Sequence, residues 1–115
     1  MEPLADRPCV PCDAGTPPLA DDVVAQLLAE LDGWKLDAEG RLAKTFEFSG
    51  FMPGVQLVDR IAEVAEQTGH HPDLCLGYGS LRASLTTHAI GGLSENDFIL
   101  AAKIQRLADG LARDA

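Results

Sequence analysis

Two glycine-punctuated stretches of alternating residues set the strongest limit on how this chain can fold. In the first, Trp34-Lys35-Leu36 and the run from Arg41 to Phe48 flank the turn-forming tetrad Asp37-Ala38-Glu39-Gly40. That arrangement reads as a hairpin. Leu42, Phe46 and Phe48 share one parity and are expected to face the core. In the second stretch Leu74, Leu76 and Tyr78 alternate, followed by Leu81, Ala83 and Leu85. Gly77 and Gly79 bracket the tyrosine and suggest a tight connection or a bulge. Tyr78 itself is read as a core aromatic at the strand end.

Helical periods surround these pairs. Val24, Leu27, Leu28 and Leu31 predict a helix over 21–31, with Gly33 as its stop. A second helix is expected from Gly50 to Thr68, with Phe51, Val55, Val58, Ile61, Ala62, Val64 and Ala65 as its apolar stripe. Pro53 fits its first turn, and Gly69 ends it. Ser94 caps a last helix, with Asp97 at the third helical position as in a capping box. Phe98, Ala101, Ala102, Ile104, Leu107, Ala108 and Leu111 supply its buried side. The order α-β-β-α-β-β-α, with short turns inside each strand pair, implies the α+β class. Its sheet would be antiparallel or mixed, with helices on one face.

At 115 residues the chain is one domain. Five of the seven prolines fall in residues 1–18. Proline breaks helices and is excluded from interior strands, so this part reads as an extended leader and 19–115 as the folded domain. No apolar run approaches the ~20 residues that span a bilayer, and the first ten residues lack the apolar segment of a secretory signal. The reading is a cytoplasmic protein that binds no membrane. Net charge is −9, from 18 acids against nine Lys and Arg, which disfavours direct binding to nucleic acid. Cysteines number three, and that odd count speaks against a disulfide framework. Cys9-Val-Pro-Cys12 is a lone pair without the further ligands a zinc site needs.

All three histidines lie in one segment, at 70, 71 and 88. His70 and His71 stand where the second helix gives way to the third strand, and His88 at the exit of the fourth. In a hairpin the start of one strand sits beside the end of its partner, so the three can meet at one rim of the sheet. Glu66 lies one helical turn before His70, and Asp97 could return to the same rim. Three readings fit. The imidazoles could be incidental turn residues. They could bind zinc or iron, although adjacent histidines tend to diverge and no helical i, i+4 ligand pair exists. Or they could exchange protons without a metal, since imidazole titrates near neutrality. Asp97 could equally be only a helix cap, and Glu66 only a solvated helix residue.

The segment closely resembles the pterin-4a-carbinolamine dehydratase family. That pattern is an acid, three positions, His-His-Pro, five or six positions, an aromatic, nine positions, His, a loop, then Asp. Here it reads Glu66, His70-His71-Pro72, Tyr78, His88 and Asp97. Gly33-Trp34, Phe46-Glu47-Phe48, Thr87-His88 and Gly92-Leu93-Ser94 agree as well, so the resemblance runs from about Leu19 to Leu111. It implies a four-stranded antiparallel sheet with three helices packed on one face. It implies an enzyme that removes water from a 4a-hydroxytetrahydropterin to give the quinonoid dihydropterin, in pterin cofactor recycling, with no metal and no cofactor. His70, His71 and His88 would be the catalytic set. Glu66 would orient His70, and Asp97 and Thr87 would bind or orient the substrate. The partners implied are the pterin itself and further copies of the chain, as a homodimer or homotetramer. The family also holds non-catalytic members, acting as a dimerisation factor or as an assembly factor.

Overall fold

The structure, a computed structural model, describes residues 3–10 and 16–114. Its regular elements are α1 (Asp21–Leu28), β1 (Lys35–Leu36), β2 (Leu42–Glu47), α2 (Met52–Thr68), β3 (Asp73–Gly77), β4 (Ser80–Leu85) and α3 (Glu95–Asp114). The four strands form one antiparallel sheet in the order β1-β2-β4-β3. With its three helices this is the α+β architecture the alternation implies.

Register explains the core. Phe46 pairs with Leu81, which pairs in turn with Leu76, and one step along Ala83 pairs with Leu74. Equal parity puts these side chains, with Leu42 and Leu85, on one face. Leu57 and Ile61 of α2 and Phe98, Leu100 and Ile104 of α3 belong to the same buried cluster. Burying one such side chain is worth about 1.5–3 kcal/mol, so this apolar layer supplies most of the drive to fold. Trp34 meets the ring of Phe46 edge-on at 6.0 Å, and its indole N–H donates to Gln105 Oε1 at 3.2 Å.

Several local expectations need correction. α1 stops at Leu28, and Leu31 reaches the core from the turn that follows. Gly33, at φ +81°, then redirects the chain into β1. On α2 the buried line is Gly54, Leu57, Ile61 and Ala65. Leu57 was absent from the expected stripe, whereas Phe51 and Ala62 are exposed. The helix begins at Met52 rather than Gly50, and its real line follows steps of three and four residues. Gly54 sits where this helix crosses β3: a Cβ there would lie 2.7 Å from Leu76 Cδ1. Tyr78 is not a core aromatic. It occupies the two-residue turn between β3 and β4 and is 82% exposed.

The leader is not simply extended. Leu4–Asp6 forms one 3-10 turn, and Leu4 is buried in the core. Proline bars a long helix here, but a single turn following Pro3 is compatible with its fixed φ. The turn lies along α3: Lys103 Nζ donates to the Ala5 carbonyl at 2.8 Å, and Arg106 pairs with Asp6 at 2.6 Å. α3 is therefore covered by the leader as well as by the sheet, and Ile99 and Leu100 are buried beyond the expected stripe. Cys12 lies outside the described residues, so the Cys9-Cys12 pair has no structural reading; Cys9 packs half-buried against the core. Among the described residues no helix is long and apolar enough to cross a membrane.

Candidate active site

The histidine rim is built by three chain reversals. Gly69 ends α2 in the left-handed region, φ +74°, with its N–H bonded to the Ala65 carbonyl at 2.9 Å. This turn swings His70 away from the line of the helix. The β3–β4 ladder closes with Asp73 opposite Ser84, so its continuation carries 70 and 71 alongside 86 and 87. Beyond β4, the Thr87 N–H donates to the Gly92 carbonyl at 3.0 Å. A 3-10 turn over His88–Ile90 fits inside that closure, helped by Gly91 at φ +68°. The chain then enters α3 through Ser94.

These reversals enclose a cleft of about 410 Å³ whose lining includes His70, His71, His88, Thr86 and Thr87. All three histidines thus face one space. A larger cleft of about 960 Å³ lies between β2, α2 and α3, but it holds no imidazole, and proton transfer at neutral pH favours the smaller one.

Asp97 stands behind the smaller cleft, fully buried. Its Oδ1 accepts from His70 Nε2 at 2.6 Å. Its Oδ2 accepts the Thr87 hydroxyl at 2.8 Å and the Ser94 N–H at 2.9 Å. Thr87 spends its proton on Asp97, so the Ser94 hydroxyl must donate to Thr87 Oγ1, 2.7 Å away. Three donors around one buried carboxylate give it the partners that burial demands. The carboxylate can only accept, so the bonded His70 Nε2 carries a proton, and in the neutral imidazole this tautomer leaves Nδ1 with its lone pair. Asp97 is at once a helix-cap residue and the anchor of an imidazole.

Glu66 is placed differently from the expectation. It bonds His71, Nε2 to Oε1 at 3.3 Å, and does not reach His70. Spacing i, i+4 aligns two side chains only while the helix continues. α2 ends at Thr68, so His70 turns inward to Asp97 and His71 is left beside Glu66. This pair is largely exposed and is worth about 0–1 kcal/mol. Tyr78, at the opposite end of the hairpin, takes no part in the cleft.

Sequence reasoning missed Thr86, Ser94 as more than a cap, and two further lining residues, Val10 and Asn96. The Ser94-x-x-Asp97 spacing pointed at Ser94 but only as a cap. Nothing local marks Val10, which reaches the cleft because the leader docks on α3. Among the described residues no group of three or more His, Cys, Asp and Glu side chains is arranged to hold a metal ion.

Comparison with known proteins gives this geometry a setting. A protein from Rubrobacter xylanophilus is 42% identical over 107 residues, covering 93% of this chain and all of its own length. One from Nitrosomonas eutropha is 49% identical over 105 residues, covering 90% of this chain and 92% of its own. Both carry the name pterin-4-alpha-carbinolamine dehydratase provisionally. Among solved structures, a transcriptional coactivator/pterin dehydratase from Brucella melitensis superposes with a TM-score of 0.75 at 28% identity, over 79% of this chain and 98% of that one. A pterin dehydratase-like protein described as a RuBisCO assembly factor in the alpha-carboxysome superposes at 0.57 with 26% identity, over 66% and 89%. The profile described as pterin 4 alpha carbinolamine dehydratase matches residues 17–107, and the chain belongs to that family.

Proposed function

We propose that this chain is a 4a-hydroxytetrahydropterin dehydratase working by histidine acid–base catalysis in pterin cofactor recycling. The observation that carries the reading is the buried Asp97 gripping His70 at the edge of the cleft that His71 and His88 share. The reaction breaks the bond from C4a to its hydroxyl oxygen and the N5–H bond, and forms the C4a=N5 double bond. Water leaves, one proton moves onto the hydroxyl and one moves off N5, and no electrons are exchanged. Such a step needs a donor and an acceptor of protons near neutrality, each worth about 10²–10⁴-fold when positioned. With its proton held on Nε2 by Asp97, His70 is suited to accept the N5 proton through Nδ1. His71 or His88 then protonates the leaving hydroxyl.

The test is turnover of a 4a-hydroxytetrahydropterin by the purified protein. The wild type is expected to accelerate dehydration, and His70→Ala with His88→Ala together to abolish the effect while the fold persists. An inactive wild type overturns the reading. The likeness to the carboxysome assembly factor favours a second reading, a non-catalytic binding role on the same fold; an inactive wild type that still captures a specific protein would support it. The homodimer or homotetramer is supported by the backbone edge that β3 leaves open, and light scattering on an eluting sample tests it. A cytoplasmic location goes with this metabolic role, and fractionation of cells tests that.

A further inference from the structure

The first turn of α3 grips two things at once. Asp97, its third residue, holds His70. The two residues before it hold the leader. Glu95 accepts from the Arg7 guanidinium at 2.7 Å. Asn96, only 4% exposed, bonds Val10 through both backbone groups: Oδ1 accepts the Val10 N–H at 2.9 Å, and Nδ2 donates to the Val10 carbonyl. A buried side-chain amide that bonds both backbone groups of a residue in a distant segment helps to fix where that segment stands. Leu4 anchors the other end in the core. Between these anchors the leader arrives at the histidine cleft, where Val10 and Asn96 are lining residues.

The composition of the cleft gives this contact a use. Imidazoles and threonine hydroxyls offer partners for the polar edge of a heterocycle, but a flat conjugated ring also needs apolar surface against its face. Val10 is 61% exposed, an accessible apolar residue at the cleft. We propose that the end of the leader, at Val10, is a wall of the substrate cleft, with Val10 the apolar contact for the ring or side chain of the pterin and Asn96 the positioning residue that sets the wall. The inference rests on the dehydratase reading and adds a specificity determinant to it.

The experiment uses the full chain and two 4a-hydroxytetrahydropterins that differ in side-chain size. Val10→Ala is expected to raise KM about threefold, the effect of losing part of two buried methyl contacts. Val10→Trp narrows the cleft and is expected to raise KM by about tenfold or more, with a larger penalty for the bulkier substrate. Asn96→Leu removes both bonds at nearly constant volume and is expected to raise KM about tenfold, with a smaller fall in kcat because Asp97 still holds His70. The exposed position of Val10 leaves the melting temperature of its two variants near that of the wild type, so their KM values decide the matter even if Asn96→Leu folds poorly. An active wild type whose Val10 variants keep its KM for both substrates overturns the wall while sparing the dehydratase. Variants that lose kcat at constant KM also overturn it. A wild type without turnover overturns the dehydratase reading and this inference with it.

Discussion

Asp97→Asn isolates what the buried carboxylate does for His70. Asparagine keeps the volume but swaps one acceptor oxygen for a donor. Its amide oxygen can stay with Thr87 and Ser94, leaving NH2 against His70 Nε2, or the amide can turn over. Turning over would set NH2 against two donors at once, the Thr87 hydroxyl and the Ser94 N–H, and the second cannot rotate away. The first orientation therefore wins, and His70 must move its proton from Nε2 to Nδ1 to meet the new donor. An imidazole in the wrong tautomer loses its proton-transfer role, so kcat is expected to fall on the order of 10²–10⁴-fold. Three bonds change from charge-assisted to neutral at about 1 kcal/mol each. The fold should lose about 2–3 kcal/mol, or roughly 10 °C in melting temperature. Alanine would be a poorer probe, because orphaning three donors at about 1–3 kcal/mol each approaches the whole stability of a small domain. Turnover, a thermal scan and the imidazole nitrogen shifts of His70 form the assay. A folded variant with wild-type kcat would refute the reasoning, and so would a collapse of kcat with the His70 tautomer unchanged.

Other perturbations probe the frame around the site. Asp37 accepts from the Arg41 and Glu39 N–H groups and from the Arg82 guanidinium, and these hold its carboxyl at about 2, led by the Arg41 backbone bond. A lowered folded value means stability present above the ordinary range near pH 4 and lost as pH falls toward 2. The melting gap between wild type and Asp37→Asn should therefore narrow steeply between about pH 4 and pH 2; a gap as wide at about pH 2 as at about pH 6 would contradict the assignment. Leu4→Ala should cost about 2–3 kcal/mol by urea unfolding, at the low end for a buried leucine because a terminal segment can resettle. A loss below about 0.5 kcal/mol would mean that the leader is merely draped on α3. Gly92→Ala would put a methyl group 2.9 Å from Pro18 Cβ, whose ring cannot rotate aside. It is expected to cost about 1–3 kcal/mol in a thermal scan and to lower turnover, because Gly92 also fixes Thr87; an unchanged melting temperature would show that the loop yields freely.

Strand parity was the most legible signal in the sequence. A period of two assigns whole sets of side chains to one face, and Leu42, Phe46, Leu81, Ala83 and Leu85 are all buried. Helical stripes were blurred where a helix is covered from more than one side. The leader packs on α3, so residues outside the expected stripe are buried too. Tyr78 was misplaced for another reason: alternation continues formally into the turn, but the pleat has already ended at Gly77. The end of α1 and the start of α2 shifted by two or three residues because a turn satisfies the same apolar spacing for one more step, as Leu31 does after α1.

At the site, the pooling of imidazoles was readable because hairpin geometry alone brings 70, 71 and 88 to one rim. Their partners were not, because partner choice depends on what the chain does after a helix ends. The Ser94-x-x-Asp97 pattern shows this best. As a capping box it calls for two reciprocal bonds, with the serine hydroxyl on the helix N–H groups and the acid reaching back to the serine N–H. Only the second bond forms in that sense; the serine hydroxyl turns to Thr87 instead. A cap hydroxyl is worth about 1 kcal/mol to a helix. Its diversion fixes Thr87, and the Thr87 hydroxyl in turn fixes Asp97 against His70. A local rule half broken, with the freed group committed to an ionised neighbour and an imidazole, is where a site departs from the requirements of folding. The same turn explains why Val10 had no signature: the amide that places it is 86 residues away along the chain, and no pattern within the leader can record that contact.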